Sequence, residues 1–216
     1  MVSASMPVLR IAVPLALLCL VSLGVHGALA ADGAAALAMS ARAECDAGRR
    51  AQTRAERKDH FERGQALAER AVALDDSNVD AHVALFCTIG ELMRLDGENI
   101  SAAFGLHRLM AEVDRTLALD PHNTDALATK GTLLLRLPRL LGGDAQKGEA
   151  LLREVIREDP TAVSSRLTLA KTCEARGDRD EAMAFATRAL QIAREQGRAD
   201  KIAEAQATLA ELRASR

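Results

Sequence analysis

Three short interruptions divide this chain into recurring lengths. Ala118-Leu119-Asp120-Pro121-His122-Asn123 stands at the centre. Ala73-Leu74-Asp75-Asp76-Ser77-Asn78 precedes it, and Arg157-Glu158-Asp159-Pro160-Thr161 comes after. Each closes one amphipathic run and opens the next. Before Pro121 the residues Leu106, Leu109, Met110, Val113 and Leu117 recur at three- and four-residue steps, one apolar face of a helix. Gly148, Leu151, Leu152, Val155 and Ile156 do the same before Pro160. Proline lacks the N–H a helix interior needs and crowds the carbonyl one turn back. It also pushes the residue before it out of the α region. Asp120-Pro121 and Asp159-Pro160 are therefore stops. Asn123 or Thr124, and Thr161, are candidate N-caps for the next helices.

The intervals are regular. Asp76 and Pro121 lie 45 residues apart, Pro121 and Pro160 lie 39 apart, and Arg194 follows Pro160 by 34. Small residues keep step with the stops. Gly64, Ala68 and Ala71 precede Asp76 by the same offsets at which Ala182, Ala186 and Ala189 precede Arg194. Gly131 and Ala170 each lie ten residues past a proline. Small side chains there let paired helices approach closely. A unit of about 34 residues made of two helices is the tetratricopeptide period, and Ala162 to Arg194 resembles one full repeat. Repeat two departs from that pattern at Phe86, Leu109 and Thr116.

The expected fold is all-α: a tetratricopeptide-like solenoid of about four antiparallel helix hairpins plus a C-terminal capping helix. The hairpins are placed at about 34–76, 79–121, 124–160 and 162–194, and the cap at 199–214. In the first, helices are expected from about Ala34 to Thr53 and Arg57 to Leu74. Ser101 is a candidate N-cap for the second helix of repeat two. In repeat three, Pro138 stops the first helix and Gly142-Gly143 supplies a tight turn. Asp144 caps the second helix of that repeat, and Leu140 and Leu141 are expected to tuck over the hairpin end. Asp178 caps the second helix of repeat four.

Residues Met1 to Ala30 read as a secretory signal peptide. Arg10 precedes an apolar stretch from Ile11 to Val25, too short for a comfortable membrane span. Ala28-Leu29-Ala30 places small residues where signal peptidase reads, with Ala31 as the new start. An uncleaved anchor is one alternative. Lipidation of Cys19 is another, opposed by the bulky Leu18 before it. The reading is a periplasmic or secreted repeat domain, 31–216, without a stable membrane span once the segment is removed.

The Pro138 to Asp144 loop, set between helices that end in Asp-Pro, is similar to the tetratricopeptide proteins associated with tripartite ATP-independent periplasmic transporters. The eukaryotic microtubule-dynamics-regulator proteins are built alike. The matching segments are Ala103 to Pro121 and Leu137 to Pro160. This resemblance implies a periplasmic helical scaffold, able to oligomerise, that serves a solute transporter.

Composition removes several functions. The formal net charge of −2 gives no nucleic-acid footprint. The absence of Trp and Tyr argues against stacking on bases or sugars. Nucleophile elbows and phosphate-binding glycine loops are missing. His60, His82, His107 and His122 are scattered without metal-ligand spacing, and His82 reads as a packed helix histidine. No catalytic residue, metal or cofactor is expected, and Glu91 with Asp96 read as helix-end carboxylates in solvent. Of Cys45, Cys87 and Cys173, the first two sit on first helices of adjacent hairpins and could pair. That all three are small buried apolar residues is the preferred reading, with Cys173 in the core.

There remains the concave groove lined by first helices. Asp80, Val83 and Cys87 are assigned to it from repeat two. Asp125, Ala128, Thr132 and Arg136 come from repeat three, and Ser164, Leu167 and Lys171 from repeat four. That mixture suits an extended protein or peptide partner. Transporter subunits, a second copy of the chain, and a small hydrophobic or organic-acid solute are the other partners weighed.

Overall fold

A computed structural model describes residues 15–97 and 100–214. Among them run nine α-helices and one 3-10 turn. They are α1 (Leu15–Arg50), α2 (Arg54–Leu74), α3 (Val79–Asp96), α4 (Ile100–Leu119), α5 (Thr124–Arg136), the turn Arg139–Leu141, α6 (Ala145–Glu158), α7 (Val163–Arg176), α8 (Arg179–Glu195) and α9 (Ala199–Ala214). Consecutive helices pair as four hairpins, α1/α2 to α7/α8, and α9 closes the last. The expected all-α solenoid with a capping helix is the observed fold.

The three interruptions share one local structure. Each opening aspartate turns its carboxylate onto the backbone two residues ahead: Asp75 accepts from Ser77 N at 2.9 Å, Asp120 from His122 N at 3.1 Å, and Asp159 from Thr161 N at 2.8 Å. This Asx geometry is why aspartate recurs there. The next helix is then capped in turn. Asn78 accepts from Ala81 N, and Asn123 from Ala126 N. Asp144 and Asp178 cap α6 and α8 as expected.

Several local expectations change. Thr161 does not cap α7; its hydroxyl donates to Asp159 at 2.6 Å, and Ala162 holds the cap position without a side-chain bond. Helix α1 ends at Arg50, not Thr53. Thr53 instead caps α2 in a reciprocal box with Glu56, which moves that helix start from Arg57 to Arg54. Helix α4 begins at Ile100, so Ser101 lies inside its first turn. Glu98 and Asn99 of the preceding break lie outside the described residues.

Leu140 and Leu141 do not tuck in. They are 98% and 63% exposed. The 3-10 turn that carries them is held by backbone bonds from Leu141 N and Gly143 N to Pro138 O.

Of the N-terminal segment, Arg10 and the start of the apolar stretch lie outside the described residues. From Leu15 the chain is helical and runs through Ala30 into the hairpin without a break. Among the described residues no helix is long and apolar enough to cross a membrane.

The small residues do what their spacing implies. Ala68, Ala71, Ala170, Ala182, Ala186 and Ala189 are fully buried. Phe86, Leu109 and Thr116, the departures in repeat two, are buried as well. One apolar cluster joins the first three hairpins through Ala41, Ala68, Val83, Ile89, Val113 and Ala126. Two others join hairpin four to α9, through Leu167, Ile192 and Ala205 and through Cys173, Ala186 and Leu212. The last apolar face of the solenoid is thereby covered.

Candidate binding face

Helix α1 lies beside α3 and α5 beside α7, while hairpins two and three meet through α4 and α5. Helix α3 shows how much exposed surface this removes. Every residue from Ala81 to Phe86 is buried, because α1, α2 and α4 all pack on it. A helix enclosed on that many sides keeps only a narrow stripe for a ligand.

That enclosure corrects the groove. Val83 is buried in the core cluster of the first three hairpins. Leu167 is buried against Ala189, Ile192 and Ala205, because α9 packs where a fifth hairpin would begin. Neither can touch a partner. Cys87 is bonded to Cys45 with the Cα atoms 6.7 Å apart, so the preferred reading of three free cysteines is wrong for this pair. Cys173 is free and buried, and burial pushes its thiol up to about 11. Ala128 and Thr132 are half-buried, while Asp80, Asp125, Arg136, Ser164 and Lys171 are exposed. Lys171 Nζ lies 3.8 Å from Glu204 of α9.

Helix α1 contributes side chains that the groove assignment missed. Arg42 reaches past α3 to Asp125 Oδ2 at 3.1 Å, joining the first and third hairpins. Two turns on, Arg49 Nε donates to Glu91 Oε1 at 2.8 Å. Glu91 is only 4% exposed, not a solvated helix-end carboxylate, and Arg94 supplies its second cation at 3.4 Å. Met39, 68% exposed, lies one turn before Arg42 on the same stripe, with Asp46 and Arg49 one and two turns beyond. The three- and four-residue steps of Met39, Arg42, Asp46 and Arg49 were visible in the sequence. The Ala-rich, apparently featureless run around them hid the stripe.

His82, Arg153 and Arg176 are engaged in contacts within the fold. His82 is 2% exposed, with Nδ1 2.6 Å from Glu112 and Nε2 2.9 Å from the carbonyl oxygen of Asp76. Burial disfavours its charged form, but the bonds to Glu112 and Asp76 outweigh burial and hold its pKa above the usual histidine value. Arg153 bridges Glu149 of its own helix and Glu181 of α8, at 2.8 and 2.6 Å, and lies over the Phe185 ring. Arg176 joins the same pair of carboxylates. Among the described residues no three His, Cys, Asp or Glu side chains gather as a metal site.

Two cavities lie among the described residues, one small and one polar. Between α4 and α5 an apolar space of ≈20 Å³ is lined by Met110, Val113, Asp114, Lys130, Leu133 and Leu134. An organic ligand needs about 300 Å³ or more. An open cleft of ≈340 Å³ runs between α2 and the end of α3, lined mainly by polar and charged groups including Lys58, Glu62 and Glu69.

Residues 139–202 match the family model of the tetratricopeptide repeat, from the 3-10 turn through hairpin four into α9. No curated protein matches the chain. Solved structures similar to it include TTC0263, a thermophilic tetratricopeptide protein of Thermus thermophilus. That protein is 19% identical over 71% of this chain and 78% of its own, with a TM-score of 0.54. Others are YrrB, a tetratricopeptide protein with an unusual peptide-binding site, and yeast Tom70. YrrB is 17% identical over 68% of this chain and 84% of its own, with a TM-score of 0.37. Tom70 is 18% identical over 72% of this chain and 38% of its own, with a TM-score of 0.43. The likeness to TTC0263 establishes the fold alone. The weaker two carry no argument about function.

Proposed function

We propose that this protein is a non-catalytic scaffold that binds an extended segment of a protein partner along its first helices. The observation that carries this is the surviving stripe. Met39 and Arg42 of α1, Asp80 of α3, Asp125 and Arg136 of α5 and Lys171 of α7 stay exposed, while Ala38, Ala41, Ala81, Ala126 and Ala170 beside them are buried. One apolar residue beside alternating charges suits a peptide backbone with mixed side chains better than a small solute.

The compartment we propose is the periplasm or the exterior, reached after removal of residues 1–30. The Cys45–Cys87 disulfide supports it, since such bonds persist in oxidising compartments. Service to a solute transporter rests on the resemblance of the Pro138 to Asp144 loop. The partner would be a transporter subunit if that reading holds.

Photo-cross-linkers placed at Thr132 and at Arg188, on second helix α8, test the binding face. A partner captured from the native host at Thr132 and not at Arg188 is the expected result. Its capture should drop with Arg42→Glu, whose exposed ion pair contributes only about 0–1 kcal/mol to stability. Equal capture at both positions, or none at Thr132, would remove the proposal.

A further inference from the structure

We propose that the tip of the third hairpin, Pro138 to Gly142, docks on an anionic phospholipid surface. Five consecutive residues there are exposed. Leu140 is 98% and Leu141 63% exposed, on a turn pinned at both ends. Gly143 N donates to Pro138 O at 3.0 Å, and Asp144 N to Leu134 O at 3.0 Å. The leucines are presented by a fixed backbone, not by a wandering loop.

Cations outnumber acids around them, with Arg136, Arg139 and Lys147 against Asp144. Arg136, Arg139 and Lys147 are exposed and have no carboxylate partner among the described residues. The one acid at the tip, Asp144, spends its carboxylate on the backbone N–H of Lys147 at 3.0 Å. Hairpin tips lie along one edge of the solenoid. Arg54 of the first reaches the Leu95 carbonyl of the second, and Arg176 of the fourth reaches Glu149 of the third. Arg50, also exposed, adds a cation to that edge. Asp75, Asp76, Asp80 and Asp120 lie on the opposite edge, where hairpins are joined. The tip edge also carries the exposed acids Asp96, Asp178 and Asp180, so a negative surface would be met by the cations of the third tip and not by the edge as a whole.

The occupant is set by shape as well as charge. A stable protein interface covers about 800 Å² on each partner. A convex tip of five residues offers far less. Two leucines ringed by cations instead match the interfacial mode, in which apolar side chains enter the headgroup boundary and lysine or arginine meets phosphate. Such docking is weak and reversible, and apart from Arg136 it leaves the inner face open.

A polarity-sensitive fluorophore on Leu140→Cys tests this in the full chain, with the same label on Leu74→Cys at the opposite edge as control. Cys173 is buried and Cys45 and Cys87 are bonded to each other, and Cys19, the fourth cysteine, is replaced by serine in both labelled variants, so labelling is selective. With phosphatidylcholine vesicles containing roughly one third phosphatidylglycerol, the Leu140 label should shift to the blue and the Leu74 label should not. The apparent affinity should fall about tenfold or more in Arg136→Glu/Arg139→Glu/Lys147→Glu, and with added salt. No shift at Leu140, an equal shift at Leu74, or an equal response to phosphatidylcholine alone would overturn the proposal. A shift that depends on protein concentration without vesicles would do the same, by assigning the tip to a second copy.

Discussion

Gly148 of α6 meets Gly131 of α5 so closely that a Cβ on Gly148 would stand 2.7 Å from the carbonyl oxygen of Gly131. The reciprocal Cβ on Gly131 would stand 3.0 Å from the carbonyl oxygen of Gly148. The backbones touch directly, and the crossing sets how hairpin three packs.

Gly148→Ala is expected to destabilise. Alanine in a helix interior ordinarily gains about 0.5–1 kcal/mol over glycine. Here the new methyl would press on backbone, which cannot swing aside, and overpacking costs about 1–3 kcal/mol. A lowered urea midpoint is the expected outcome. A raised midpoint would show that the α5–α6 crossing is looser than described.

The two glycines of the Pro138 to Asp144 turn should respond differently. Gly142 has φ +87 with open space around it, so Gly142→Ala meets only left-handed backbone strain, about 1–2 kcal/mol. A Cβ on Gly143 would overlap the Leu137 carbonyl oxygen. Gly143→Ala must therefore rebuild the turn and should lose more stability than Gly142→Ala. Thermal melts of the two variants give the order.

Reduction of Cys45–Cys87 should lower stability by about 2–4 kcal/mol, the usual contribution of a bridge closing a loop of this length. The bond ties α1 to α3 across 42 residues of sequence. Denaturant titration with and without reductant measures this. Cys173→Ser should leave the reductant-dependent difference unchanged.

His82 makes stability depend on pH. Its folded pKa lies above the ordinary value of 6.5, so protonation is favoured in the folded chain. That contribution is complete below the unfolded pKa and fades as pH rises through the folded one. The groups facing the ring are Glu112 from α4 and Asp76 from the turn, with Arg115 bonded to Asp76. Unfolding free energy should therefore carry a component that declines as pH rises above the ordinary histidine value and disappears in His82→Gln. An NMR titration placing His82 at or below the usual histidine value would refute it.

The hairpins were legible in the sequence because their signals are local. A proline stops its own helix, an asparagine caps the next turn, and an aspartate folds onto the backbone two residues on. None of these requires knowledge of what lies across the molecule. Even so, Thr161 shows the margin: two acceptable local partners competed for its hydroxyl, and Asp159 took it.

The face was not legible in the same way. Helical spacing places Val83 and Leu167 on the stripe with Asp80 and Ser164. Whether a stripe meets solvent or another helix depends on how many neighbours enclose it. Helix α3 has neighbours on several sides, and α9 sits on α7, so the residues chosen by register became core. Arg42 with Asp125, Arg49 with Glu91, and Cys45 with Cys87 join positions distant in sequence. Leu140 and Leu141 make the same point in reverse. Their apolar character predicted cover, and only the path of the backbone between Pro138 and Gly143 left them in solvent. The sequence determined where each rod begins and ends, since those choices are settled within a turn of chain. The stacking of rods decided which residues face outward, because burial belongs to the whole assembly of neighbours.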